Sequence, residues 1–389
     1  MSEIITLGAP SAGGGFVGRD TEGRVLFVRY GLPGETVRVE ITERHKRWGR
    51  ADAIEIIEAS PDRVTPPCDY FGAGRCGGCD YQHASLDAQR RYKTELLSEQ
   101  LRRVAGIEYG VTVEAVGTES GLGNRTRVRF GRDSAGGLGL RRRASHDIIE
   151  IASCPLGTPT ITAAMERARG LEGLGDIELV DLGDRTTIVS DDDLEAGFLP
   201  DDVSVTVGDE SYTINPAGFF QIHRAAPELL VRVVMEGLNL RGGEVAADFY
   251  AGAGLFARPM ARAVGESGSV IAIESAPQGV GACEENLAAF GWAVTVDAPV
   301  CEALVAELRD DLSHAVFDPP RQGIETGVIE ALSEFSNLVR CVSVSCDAAT
   351  FARDLARFIE GGFTIDSIRA FDLFEMTEHA EYVAVLSRD

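Results

Sequence analysis

Lysine is nearly absent from this chain: Lys46 and Lys93 are the only two in 389 residues, and tryptophan is equally scarce with two. No apolar run approaches the roughly 20 residues that a membrane helix needs. The first residues, Met1-Ser2-Glu3-Ile4, are acidic where a secretory signal is basic and then apolar. Membrane and secreted classes are thus set aside, and a cytoplasmic protein with neither signal peptide nor anchor is expected. Internal repeats and low-complexity stretches are also missing. What remains is a chain with 44% hydrophobic and 25% charged residues, ordinary for globular domains and long enough for two or three of them.

The net charge of −24 argues at first against a polyanionic partner, but it is unevenly distributed. Residues 1–156 carry 22 Lys+Arg against 21 Asp+Glu, whereas residues 157–389 carry 15 against 40. The amino-terminal part is therefore near neutral, with its arginines in clusters. Arginine grips phosphate in two-pronged fashion and stacks on bases. Arg44-His45-Lys46-Arg47-Trp48-Gly49-Arg50 is one such cluster, joined to an aromatic. Arg125, Arg127 and Arg129 alternate as on one face of a strand, and Arg141-Arg142-Arg143 comes after a glycine-rich turn. Together they predict a phosphate-contacting surface, the alternative being solvated charge without a partner.

The hydrophobic patterning divides the chain into three regions. Residues 1–58 read as short strands separated by glycine and proline turns, hence a small OB-like barrel. Residues 59–205 form a central α+β region that opens with Ser60-Pro61 and Thr65-Pro66-Pro67 and contains an amphipathic helix from Leu86 to Val104. Asp191-Asp192-Asp193 within it reads as a solvated turn. Residues 206–389 alternate strands and helices, the pattern of a doubly wound α/β sheet.

The eight cysteines form two sets. Cys68, Cys76, Cys79 and Cys154 lie among glycine and proline in the central region. Four thiolates from such loops suit an iron–sulfur cluster or structural zinc, and spacing alone leaves both open. Cys346, in the second set, ends the β-branched run Cys341-Val342-Ser343-Val344-Ser345 and precedes Asp347. A thiol at the carboxyl end of an α/β strand is a candidate nucleophile, the alternative being a buried structural cysteine.

Val245-Ala246-Ala247-Asp248-Phe249-Tyr250-Ala251-Gly252-Ala253-Gly254 is a strand followed by a glycine turn, and Val270-Ile271-Ala272-Ile273-Glu274 is a strand ending in an acid that suits ribose hydroxyls. This ordered pair resembles the Rossmann-like S-adenosylmethionine-dependent methyltransferases, with a nicotinamide site as competitor. Phe317-Asp318-Pro319-Pro320 makes a stiff turn able to hold Asp318 beside a flat ring.

Asp318-Pro319-Pro320-Arg321-x-Gly323, Ser345-Cys346-Asp347-x-Ala349-Thr350 and Phe374-x-x-Thr377-x-His379-x-Glu381 together resemble the RNA uracil-5-methyltransferase family. Asn215-Pro216-x-x-Phe219-Phe220-Gln221 is similar to the segment leading into that family's cofactor site, and residues 1–58 to its TRAM barrel. The resemblance implies an enzyme in which Cys346 adds to C6 of a uracil and Glu381 removes the C5 proton. It implies Gln221, Tyr250, Glu274 and Asp318 as contacts to S-adenosylmethionine. It also implies a [4Fe–4S] cluster on Cys68, Cys76, Cys79 and Cys154, with zinc second, and an RNA partner, 23S rRNA before the tRNA T-loop. No membrane and no obligate protein partner are expected. Two departures stand out: Ala348 where the family has proline, and His223 where it more often has asparagine. Rival readings are a non-catalytic RNA-binding factor and an amine methyltransferase, for which Cys346 would be superfluous.

Overall fold

The computed structural model describes residues 2–133, 136–171, 175–195, 199–308 and 311–388. Its first layer is a six-stranded sheet running from Ser2–Thr6 to Trp48–Glu58. Alternating Val37, Val39, Leu26 and Val28 point inward with Phe16, and the core is completed from outside the sheet by Tyr81, Ala84, Ala88 and Tyr92. Phe16 meets Tyr81 and Tyr92 at ring distances of 5.7 and 5.2 Å, so the barrel's apolar interior is continuous with the central region.

A five-stranded antiparallel sheet, built from Arg127–Arg132 and its neighbours, packs against the helix Pro159–Arg169. Thr158 caps that helix and proline opens it. Asp191-Asp192-Asp193 forms the first turn of a short helix, Asp191–Glu195, where carboxylates favour the exposed N–H groups.

The largest sheet has eight strands in the order 293–297, 269–274, 245–249, 314–317, 340–345, 381–387, 364–372 and 113–115. The first five are mutually parallel, Glu381–Ser387 runs antiparallel, and helices cover both faces. Strand order reverses between Val245–Phe249 and its neighbour His314–Phe317, which opens a crevice at the carboxyl edge where ligands bind such sheets. Two elements from the central part of the sequence belong to this body. The strand Val113–Ala115 pairs with Thr364–Asp372, and the helix Leu86–Gln100 lies beside Ala348–Glu360, burying Leu97 in the same core. An amphipathic pattern dictates that a helix be covered but not which sheet covers it.

The arginine strand behaves differently from its pattern. Alternation puts Arg127 and Arg129 on one face, yet Arg127 is buried and donates to the carbonyls of Pro216 and Gly218 at 2.6 Å each. Arg129 pairs with Asp191 at the surface, and Arg125 precedes the strand. Arg127 is therefore a strut between two bodies and not a phosphate contact. The scarce lysine has a similar part: Lys93 is fully buried, paired with Asp372, and donates to the Phe374 carbonyl at 3.1 Å. Removing one member strands the other charge in a dry interior, which costs about 3–5 kcal/mol. Lys93→Ala should lower unfolding stability by that amount in denaturant titration, and Lys93→Met with Asp372→Leu should recover most of it. Equal stability of Lys93→Ala and wild type would refute a structural role for the pair.

Candidate active site

Cys346 comes directly after the strand Arg340–Ser345, and the strand paired beside it starts at Glu381. Their antiparallel register pairs Ser345 with Tyr382, so one further step sets Cys346 across from Glu381. Asp347 caps the next helix by accepting from the N–H groups of Ala349 and Thr350 at 3.0 and 2.9 Å. Ala348 then occupies the first helical position, where proline and alanine are both accommodated. The departure at Ala348 thus leaves the thiol's mount intact.

Asp318 ends the adjacent strand His314–Phe317, and its carboxylate accepts from Gln221 Nε2 at 3.1 Å. The turn after it closes through Gly323 N–H to the Pro320 carbonyl at 2.8 Å. Gly323 has φ +77°, and a Cβ there would collide with Arg353 and Asp354. Burial pushes the Asp318 carboxyl up to about 7 against the lowering effect of Gln221. Glu381, fully buried, is pushed well above the usual carboxylate range by desolvation and then by Asp318. Burial pushes the Cys346 thiol up to about 12, with Glu381 adding to the rise and Arg321 opposing it. Three groups that resist ionisation are thereby gathered at one sheet edge.

The nucleotide loop lies two strands away. Tyr250 adopts φ +65°, a strained turn for a bulky residue, and its hydroxyl accepts from the Glu325 N–H at 3.2 Å. Gly252 has φ +54° and opens onto empty space. Glu274 binds the loop by accepting from Gly252 N–H at 2.8 Å, and also from the N–H groups of Ser275 and Ala276 at 2.7 Å each. Of the roughly four lone-pair sites on a carboxylate, three are thus used and one is left for a ligand. Asp297 sits beside Glu274 in register on the neighbouring strand. Asp248, fully buried at the foot of the loop, gives one oxygen to Ala257 N–H while its Oδ1 has no partner among the described residues. The open side of the loop at Gly252 and the unpartnered, buried Asp248 Oδ1 fit a nucleotide-bearing cofactor. Gln221 and Asp318 are in direct contact; Tyr250 and Glu274 stand along the same edge.

The other four thiols also converge. Cys68, Cys76, Cys79 and Cys154 line one cavity of about 260 Å³ with Arg125 and Gln82. Gln82 Nε2 donates to Cys79 Sγ at 3.0 Å, and burial pushes the Cys79 thiol up to about 12. No group of three or more His, Cys, Asp or Glu among the described residues is arranged to hold a single metal ion. Sequence spacing identified these cysteines but gave no sign of Gln82. Nor did it give a partner to Glu375, Asn124 or Lys93, whose contacts are far away along the chain.

Known proteins share both the sequence and the fold. The TRAM domain family model matches residues 5–54, and that of tRNA (Uracil-5-)-methyltransferase matches residues 306–389. An uncharacterized RNA methyltransferase of Streptomyces avermitilis is 36% identical, covering 98% of this chain and 97% of its own. The 23S rRNA (uracil(1939)-C(5))-methyltransferase RlmD of Chromohalobacter salexigens is 32% identical over 96% of this chain and 86% of its own. In fold, the chain matches the crystal structure of Pyrococcus abyssi tRNA (uracil-54, C5)-methyltransferase with S-adenosyl-L-homocysteine at a TM-score of 0.71, with 24% identity over 99% of this chain and 100% of that one.

The crowding of acids around Cys346 has a direct readout. Alkylation by iodoacetamide at neutral pH should be slow at Cys346, because the thiolate is the nucleophile and little of it is present. Raising the pH ionises Glu381, whose charge then opposes the thiolate; Glu381→Gln takes that acid away and should speed alkylation several-fold at alkaline pH, as followed by peptide mass mapping. A slower or unchanged rate would contradict the electrostatic assignment.

Proposed function

This chain belongs to the RNA uracil-5-methyltransferase family, and we propose that it methylates C5 of a uracil in structured RNA, 23S rRNA before tRNA, with S-adenosylmethionine as donor. The observation that carries this reading is the register that sets Cys346 across from Glu381 beside Asp318. Uracil C5 is too weak a nucleophile to accept a methyl group unaided. Cys346 loses its proton to solvent and forms an S–C6 bond, and the ring becomes an enolate nucleophilic at C5. S-adenosylmethionine supplies an electrophilic methyl group. Glu381 then takes the C5 proton, the C5–C6 double bond returns and the thiolate leaves. Gln221 and Asp318 hold the donor and the base-binding side together, and Glu274 keeps one lone pair free for the ribose. A non-catalytic RNA-binding factor would have no use for a thiol, a base and a donor site on one edge.

The arginines grouped for RNA surround a cavity of about 650 Å³ between the barrel and the cysteine region: Arg29, Arg50, Arg75, Arg142 and Arg143, with Phe27, Tyr30 and the acids Glu43 and Asp52; Arg29, Arg50, Arg142 and Arg143 would exchange their carboxylate partners for phosphate on binding. Arg50 lies 5.6 Å over the Trp48 ring. Such a mixture of cations and ring faces accommodates unpaired nucleotides. The four-thiol cavity supports a thiolate-held centre, and the resemblance of the cysteine spacing favours a [4Fe–4S] cluster over zinc. Cys68, Cys76, Cys79 and Cys154 would hold the cluster, and its place is structural, tying loops 68–79 and 154 together. Within residues 59–205 it would anchor the surface that meets RNA, between the barrel of 1–58 and the transferase region of 206–389.

Cys346→Ala should abolish methylation while leaving donor affinity, measured by calorimetry, within about twofold; retained 5-methyluridine formation would overturn the mechanism. RNA carrying 5-fluorouridine should trap wild-type protein covalently, because Glu381 then finds no proton at C5. Anaerobically purified protein should be brown with about four irons per chain, and a colourless zinc protein would displace the cluster assignment.

A further inference from the structure

His223 and Glu375, 152 residues apart, meet in a buried cluster that has no part in the methyl-transfer steps. His223 is 1% exposed and Glu375 6%. The Ala225 N–H donates to His223 Nδ1 at 3.1 Å. That nitrogen therefore carries the lone pair, and the proton sits on Nε2. Nε2 then donates to Glu375 Oε1 at 3.3 Å, and Asn124 Nδ2 donates to the same oxygen at 2.6 Å. To do so Asn124 leaves its own Oδ1 without a partner among the described residues. There is no slack: a Cβ on Gly117 would come within 2.6 Å of Asn124 Nδ2 and 2.8 Å of His223 Nε2.

The cluster joins the two halves of the active site. His223 lies two residues from Gln221, the partner of Asp318, on a segment strapped to residues 124–126 by Thr126 N–H to the Ile222 carbonyl and Arg224 N–H to the Asn124 carbonyl. Glu375 lies in the loop that ends at Glu381, immediately before Met376, which is held at φ +65°. Moving either segment alone would break hydrogen bonds to a buried carboxylate, a costly event in a dry site. An asparagine at position 223 would be too short to present a donor at the Nε2 position.

We propose that His223, Glu375 and Asn124 form a positioning clamp that fixes the spacing between the donor-binding segment at Gln221 and the proton-accepting residue Glu381. This rests on the uracil-methylation reading for its kinetic consequences, but not for its structural one. His223→Ala should raise KM for S-adenosylmethionine and lower kcat, each about tenfold, within the range of typical coupling energies. His223→Gln, which restores an N–H at the same reach, should return both to within about twofold. Asn124→Ala, a milder change, should move both constants in the same direction by roughly threefold. In the full-length, ligand-free protein, hydrogen exchange of segments 221–225 and 374–381 should accelerate together in His223→Ala and in Glu375→Ala. The clamp is overturned if only one segment loses protection, or if the folded variants keep wild-type KM and kcat. A wild type that binds S-adenosylmethionine but methylates no uracil would sink the functional reading instead, and the exchange data would still decide the clamp.

Discussion

The buried pair Lys93–Asp372 is the contact on which the remaining arrangement depends. It fixes the end of the strand Thr364–Asp372, and beyond that end the chain must cross to Glu381 within eight residues. Every part of the molecule bonds to this crossing. The barrel gives the N–H groups of Gly13 and Gly14 to Glu378 at 2.6 and 2.9 Å. The cysteine region gives the N–H groups of Asp80 and Tyr81 to the Met376 carbonyl, the long helix gives the Gln89 side-chain oxygen to Met376 N–H, and the loop before the central sheet gives Asn124 to Glu375. The loop that delivers Glu381 is therefore the joint of three bodies, and its geometry cannot change without disturbing an interface.

This explains an otherwise uneconomical choice of buried charges. A hydrophobic replacement of the lysine pair would keep most of the stability, but it would not specify direction. The ammonium reaches both the Asp372 carboxylate and the Phe374 carbonyl, and so orients the chain on either side of the turn. With Glu375 and Glu378 satisfied by donors from other regions, the loop is positioned by hydrogen bonds whose loss inside the protein is expensive. Specific position, more than stability, is what these polar contacts contribute.

What the sequence made legible was local. A β-branched run ending in Cys346, a glycine turn after Asp248 and an acid closing the strand at Glu274 are each written in a few consecutive residues. The structure sets them at the same edge because parallel strands share a direction. The spacing of Cys68, Cys76 and Cys79 marked these thiols as a ligand set with Cys154; the structure lines one cavity with all four. Contacts between distant segments were not legible. Alternation assigned Arg127 to a surface because it gives the period of a strand and not which face is covered. Glu375 and His223 look like ordinary positions until the fold brings them together, and the helix Leu86–Gln100 advertised an apolar face without naming the sheet beneath it.

The same burial that positions the active-site groups also makes them inert at rest. With the thiol pushed up to about 12, Asp318 up to about 7 and Glu381 higher than its usual range, no reactive thiolate stands open to solvent oxidants. Each of these shifts has desolvation as its largest cause, and mutual repulsion among the acids adds to the rise at Cys346 and Glu381. A ligand that brings positive charge and hydrogen-bond donors to this edge favours the ionised forms, and a sulfonium donor beside Asp318 would do so. Reactivity would then arise only when the donor and the base are both seated, so the coupling between the Gln221 and Glu381 segments matters for chemistry as well as for shape. A clamp holding those two segments at fixed separation keeps the charge-stabilising and proton-accepting groups within reach of one ring at the same moment.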